Sequence, residues 1–249
     1  MIRSILFRRI PDLAEMDGRE PVNPHDTRGN TVLRPIVFGA NDGLVSNLAL
    51  VMGVAGASPA PGVIVLAGIA GLLAGAFSMG VGEYISVQSQ QELLAHQTTF
   101  QRRQLRETPD QERAILSGIY CSRGFTPDEA DHFVDRVFAD PDHAVSLLLH
   151  EEVGLDARSI GSPWSAAVGS FLAFTLGALV PLVPYLLLSS QAAFSVSLGV
   201  SLAALAFLGY GISRLTHRPA LYSAVRQVAL GGVAAAVTYA VGAFVGAQA

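Results

Sequence analysis

The chain contains no lysine, so its 16 basic side chains are all arginines, and it has a single cysteine, Cys121. One thiol excludes an internal disulfide framework and most cysteine-based metal sites. Charge of either sign is scarce: 14% of the 249 residues are charged, against 51% that are hydrophobic. No charge interrupts residues 43–82, 159–213 or 227–249. A bilayer-crossing helix needs only about 20 apolar residues, so these stretches exclude a soluble globular fold, a disordered chain and a nucleic-acid binder. The formal net charge of −4 says little about partners, because acids and bases are confined to particular segments.

Five spans are predicted, at roughly 35–57, 61–88, 163–188, 191–213 and 227–247. The uncharged run from 159 to 213 is too long for one helix and is cut at Ser189-Ser190-Gln191, a tight hairpin. The first two spans are joined by Ala57-Ser58-Pro59-Ala60-Pro61-Gly62, where prolines stop one helix and start the next. Six arginines fall in residues 1–34, seven in 89–158 and three in 214–226; the hairpins and the C-terminal tail carry none. Five spans put all three arginine-bearing segments on one side, which the positive-inside rule makes cytoplasmic. The expected topology is N-terminus in, C-terminus out. Residues 1–9 lack the apolar core and cleavage site of a signal peptide. An arginine-only, alanine-rich composition suits a bacterial inner membrane.

The expected organisation has four parts. Residues 1–30 form a cytoplasmic tail, either a surface-lying basic helix or an irregular end. Residues 31–90 hold transmembrane helices 1 and 2, residues 91–160 a cytoplasmic helical insert, and residues 161–249 helices 3 to 5. The polar stretch 89–160 carries 13 acids against seven arginines. Its apolar residues recur at helical spacing, first from Leu93-Leu94 to Leu105 and later in Ala130-Phe133-Val134-Val137-Phe138, which predicts three or four amphipathic helices. Thr126-Pro127-Asp128-Glu129 reads as a helix start with Thr126 as N-cap, and Asp140-Pro141-Asp142 as a break. The fold class is therefore an all-α membrane protein, with five transmembrane helices and a small cytoplasmic helical bundle inserted between helices 2 and 3.

Two acids interrupt the apolar spans, Asp42 and Glu83. A carboxylate in hydrocarbon is costly, so such residues usually face a cavity, a partner or an ion path. The plain alternative is that Asp42 caps a helix or that either acid sits at the membrane interface. Gly71, Gly75, Met79 and Glu83 follow at intervals of four, along one slowly drifting helix face. The glycines allow close approach of another helix. Met79 alone would be a core methionine. Beside an intramembrane carboxylate, its thioether becomes a soft ligand suited to borderline ions such as Fe²⁺ or Mn²⁺, and protonation of the carboxylates could couple ion and proton movement.

Residues 38–47, Phe-Gly-Ala-Asn-Asp-Gly-Leu-Val-Ser-Asn, followed by residues 70–87 around Gly-Ala-Phe-Ser-Met-Gly-Val-Gly-Glu-Tyr, resemble the vacuolar iron transporter family. Gly177-Ala178-Leu179-Val180-Pro181-Leu182-Val183-Pro184 and Val233 to Tyr239 fit the same family, so the resemblance runs from about His25 to Gly246. It implies a homodimer of five-helix protomers that exchanges cytosolic Fe²⁺ or Mn²⁺ for protons along a path near the dimer axis. Asp42 and Met79 match the family's path positions, and Glu83 lies in its Gly-Glu-Tyr motif. The metal is the transported substrate, and no cofactor is implied.

The insert departs from that pattern. Glutamine stands at Gln101 and Gln104, where the family would have glutamates, and amides are much weaker metal ligands than carboxylates. Glu112 remains while Ile115 replaces its partner; Glu152 remains while Leu148 and Leu149 stand where many members have methionines. Glu112 and Glu152 are thus the candidate ligands left in the insert, and a weak or altered metal store is expected. His96, His132, His143 and His150 could partly substitute, but lack tight metal spacing and read more simply as surface histidines. The leading reading is a secondary transporter exporting a divalent transition metal. The rival is a non-transporting membrane sensor or scaffold acting through the insert. No nucleophile–base pair or phosphate-cradling loop supports an enzyme: Gly80-Val81-Gly82 lies in a helical stretch.

Overall fold

The computed structural model describes residues 26–57, 60–154, 160–188 and 190–248. The expected tail, most of it before residue 26, lies outside them, as do Ser58, Pro59 and Ser189 of the two hairpin turns. All regular structure among the described residues is helical: α1 (Asp26–Ala57), α2 (Pro61–Glu107), α3 (Pro109–Ser122), α4 (Pro127–Phe138), α5 (Pro141–Leu148) with a π-helical turn (Leu149–Val153), α6 (Pro163–Leu187), α7 (Ser190–Thr216) and α8 (Ala220–Gly246). Five of these, α1, α2, α6, α7 and α8, are long and apolar enough to cross a membrane. Each overlaps one of the five predicted spans. The last starts earlier than expected, taking in Arg226.

Helix direction follows from where backbones touch. Gly39 meets Ser170, Gly43 meets Phe174 and Gly177 meets Ala40, so α1 and α6 run the same way. Gly53 against Thr238 and Gly246 against Ala57 set α8 parallel to them. Gly68 against Leu182 and Gly71 against Asn47 make α2 antiparallel, and Gly209 against Ser223 does the same for α7. The starts of α1, α6 and α8, the end of α7 and the stretch of α2 around Glu83 therefore share one end of the bundle. Arg34, Arg214, Arg218 and Arg226 sit there, and the chain between α2 and α6 emerges there.

α1 is the hub, packing against α2, α6, α7 and α8. Its Leu44, Leu48, Val51 and Met52 are at most 1% exposed and pack with Ile64, Tyr185, Ala193, Leu205 and Ala235. Outward faces stay apolar: Leu230, Val233, Val237, Val241 and Phe244 of α8 are all exposed at helical spacing. Such a stripe would be an aggregation hazard in water and is ordinary against lipid. Exposed Trp164 packs at a tilt against Tyr84 at the arginine end, centroids 5.0 Å apart, the place where amphipathic rings settle at a membrane interface.

α2 is a single helix of 47 residues, roughly 70 Å long at about 1.5 Å per residue. It runs unbroken through residues 90 and 91, so the first amphipathic stretch, Leu93 to Leu105, is the far end of the second span and not a separate helix. The reason is compositional: no glycine or proline occurs between Glu83 and Glu107, and Pro109 is the first breaker. Against that overhang pack α5 and the π turn, with α3 and α4 completing the unit. Leu116, Val134, Val137, Ala144 and Leu148 form its core. Thr126 and Glu129 form the expected capping box, and Asp140 caps α5 by accepting from the amides of Asp142 and His143. Gly154 closes the π turn at φ 71°, in the left-handed region that glycine enters without strain.

Candidate functional site

The described side chains of the Phe38–Asn47 motif and of the Gly71–Glu83 face meet where α1 crosses α2. Asp42, Ser46, Asn47 and Leu50 of α1, Gly71, Gly75, Ser78 and Met79 of α2, and Phe174 of α6 line a cavity of about 250 Å³. Asp42 and Met79, singled out separately from the sequence, are thus brought to one space. Met79 also packs on the cluster of Leu72, Ala76, Phe174 and Ala178, so it serves as core on one side and lining on the other. Ser46, Leu50 and Ser78 are exposed, which opens the cavity at the surface of the chain.

The glycines make this space in a way the sequence did not disclose. A Cβ on Gly75 would strike the Phe174 ring, and one on Gly71 would strike Leu50 Cδ2 and lie 3.1 Å from Asn47 Oδ1. They admit side chains from α1 and α6. Close backbone approach falls instead at Gly39, Gly43 and Gly177, which draw α1 against α6. Ser46 Oγ donates to the Asp42 backbone carbonyl at 2.5 Å, which turns that hydroxyl back along its own helix.

Glu83 lies one turn beyond Met79, towards the arginine end, in an adjoining cavity of about 320 Å³ with Arg34, Val37, Phe38, Asn41, Ile212 and Gln227. Asn41 Oδ1 is buried there without a hydrogen-bond partner. Asn41 and Asp42 are neighbours on α1, and Glu83 and Met79 are neighbours along one face of α2. The two cavities therefore follow one another along the same pair of helices.

In the insert, Gln101, Glu112 and Glu152 come together from α2, α3 and the π turn. Gln101 is 3% exposed, and its Nε2 donates to Glu152 Oε2 at 2.7 Å. Glu112, also 3% exposed, keeps Oε2 without a partner. Burial, and then the charge of Glu152, push its carboxyl above the usual glutamate range. Glu151 faces the other way: Arg123 holds it by two hydrogen bonds, one of them 2.8 Å long, and keeps its carboxyl below that range. Leu148 and Leu149 are buried, Leu148 in the apolar core. Gln104 and Ile115 are both half-buried. His96, His132, His143 and His150 are exposed; His132 and His143 share a groove, beside Asp128 and Glu129. Among the described residues, no three or more His, Cys, Asp or Glu side chains converge so as to hold a metal ion.

The sequence reading missed Asn47 and Phe174 as lining groups. Asn47 was visible as the second amide of the motif, five residues after Asp42; nothing local marks Phe174.

The VIT family model matches residues 33–243. Vacuolar iron transporter 1 of Oryza sativa subsp. japonica is 32% identical over 234 residues, covering 92% of this chain and 93% of its own. Vacuolar iron transporter 1 of Arabidopsis thaliana is 29% identical over 216 residues, 86% of each chain. The vacuolar iron transporter of Toxoplasma gondii is 28% identical over 238 residues, 92% of this chain and 78% of its own.

Proposed function

The chain belongs to the VIT family, a family of membrane transporters and not of enzymes, and from that premise we propose that it carries Fe²⁺ or Mn²⁺ out of the cytoplasm in exchange for protons. The observation that carries this reading is the shared cavity of Asp42 and Met79. A carboxylate and a thioether together favour borderline transition metals over the hard ions Ca²⁺ and Mg²⁺, which prefer oxygen alone. Asp42 is the one acid lining that space. Binding of a proton removes its charge, so metal and proton compete for one carboxylate, which is the elementary requirement for exchange.

Glu83 stands nearer the arginine end and would receive the ion before it reaches Asp42 and Met79. With that end cytoplasmic, by the arginine distribution, transport runs outward. Arginine-only composition favours a bacterial inner membrane as the site. A homodimer fits the open side of the cavity: a second copy laid against Ser46, Leu50 and Ser78 would close it from lipid. The cytoplasmic insert, with Glu112 and Glu152 as its remaining acids near Gln101, contributes at most weak metal storage.

The test is Mn²⁺ and Fe²⁺ uptake into inside-out vesicles or proteoliposomes under an imposed pH gradient. Asp42→Ala and Met79→Ala, each verified as folded, should lose uptake. Wild-type rates in both would overturn the path, and uptake insensitive to the gradient would overturn proton exchange. The sensor reading predicts no metal flux from the unaltered chain.

A further inference from the structure

Asn47 is 2% exposed, in the middle of an apolar span, and its two amide atoms have different fates. Nδ2 donates to the carbonyl of Ala178, on α6, at 2.7 Å. A carbonyl can only accept, so the amide nitrogen must face it and the oxygen must face the other way. Oδ1 points across to α2 at Gly71, has no hydrogen-bond partner, and belongs to a residue lining the cavity with Asp42 and Met79. A buried acceptor left unmatched is destabilising unless something outside the protein satisfies it. Gly71 supports the same point, because any larger residue there would crowd this oxygen.

We propose that the Asn47 amide oxygen is a ligand of the moving metal ion, a second station beyond Asp42. This rests on the reading of the cavity as the metal path. Asn47 lies five residues past Asp42, about 7.5 Å further along α1 and away from the arginine end. An amide oxygen is a neutral, hard donor. It replaces part of the ion's hydration without holding it by charge, and it takes no proton in the physiological range. The two stations therefore divide the work: Asp42 captures the ion and answers to pH, whereas Asn47 passes it on and favours oxygen-seeking ions. The Ala178 carbonyl is what aims the oxygen, so α6 sets the geometry of a ligand carried on α1.

The experiment measures Mn²⁺ and Cd²⁺ uptake in proteoliposomes, in a Cys121→Ser background, for Asn47→Cys and Asn47→Asp beside Asp42→Ala and Met79→Ala. A thiol at a ligand position prefers the softer ion, so Asn47→Cys should shift the Cd²⁺/Mn²⁺ rate ratio at least tenfold towards cadmium. Asn47→Asp keeps an oxygen in place and adds a titratable group, so it should retain Mn²⁺ uptake with a new dependence on pH. An unchanged ratio in Asn47→Cys together with an unchanged pH profile in Asn47→Asp would overturn the proposal, whether rates stayed high or fell for both ions alike. Should one variant fail to fold, the other decides by its own readout. If Asp42→Ala and Met79→Ala transport normally, the path itself falls. If they are inactive while both Asn47 readouts are unmoved, only the role of Asn47 falls.

Discussion

Replacing Gly177 by alanine probes the packing that builds the cavity. The added Cβ would fall inside the contact distance of the Ala40 carbonyl oxygen and lie 2.9 Å from Leu44 N. Both are backbone atoms of α1, so no rotamer change relieves the overlap. α1 and α6 must separate by something on the order of 1 Å, and overpacking of this kind costs roughly 1–3 kcal/mol. For a chain of this length that corresponds to a fall in melting temperature of roughly 2–12 °C. Asp42 lies between Ala40 and Leu44 on the displaced helix, and Phe174, one turn before Gly177, lines the cavity. Transport should therefore drop more than stability does. The assay pairs thermal melting in detergent with Mn²⁺ uptake in proteoliposomes. Gly199→Ala is the control: nothing lies within 4 Å of its Cβ, and alanine is the better helix former by about 1 kcal/mol. If Gly177→Ala melts and transports like Gly199→Ala, the close contact of α1 with α6 does not shape the site and the reasoning fails.

Thr126→Ala removes the capping box of α4 and should cost about 1 kcal/mol, read in the full-length chain as roughly fivefold faster amide exchange across Pro127–Phe138; unchanged exchange would count against the cap. Gln101→Glu sets a third carboxylate beside Glu112 and Glu152, so Mn²⁺ should raise the melting temperature of this variant more than that of the unaltered chain. An equal response in the two chains would mean that the three side chains do not converge. The insert should also respond to pH in two opposing ways. Glu151, whose folded pKa is lowered by Arg123, contributes stability above the ordinary glutamate range and loses it as pH falls. Glu112, whose folded pKa is raised by burial and by Glu152, contributes at acid pH and loses that contribution as pH rises. Glu112→Gln should thus slow amide exchange in the insert near neutral pH and change little at about pH 4; slowing confined to acid pH would contradict the sign.

The five spans were legible because charge is excluded from hydrocarbon, and a chain with so few charges writes its topology in the gaps between them. The capping box at Thr126 and the break at Asp140 were legible because caps are local: each is decided by side chains within three residues. The end of α2 was misjudged for the converse reason. Amphipathic spacing from Leu93 onwards marks a helix face but says nothing about continuity with the helix before it. Only the absence of glycine and proline between Glu83 and Glu107 carries that information, and it yields a rod joining the membrane cavity to the insert.

The candidate site divides in the same way. Asp42 and Glu83 stand out because an ionised group in an apolar span demands an explanation, and Met79 stands out by its register with Glu83. Asn47 makes no such demand, since an amide in a span can always be imagined facing its own helix or a neighbour. Its importance depends on which of its two ends is occupied. That is settled by the Ala178 carbonyl, 131 residues away in the chain, together with an empty Cβ position at Gly71 on a third helix. A charge declares its cost in the sequence, whereas a neutral ligand acquires its direction only from the packing around it. The polar groups that do chemistry without titrating are therefore the ones for which a three-dimensional structure adds most to this chain.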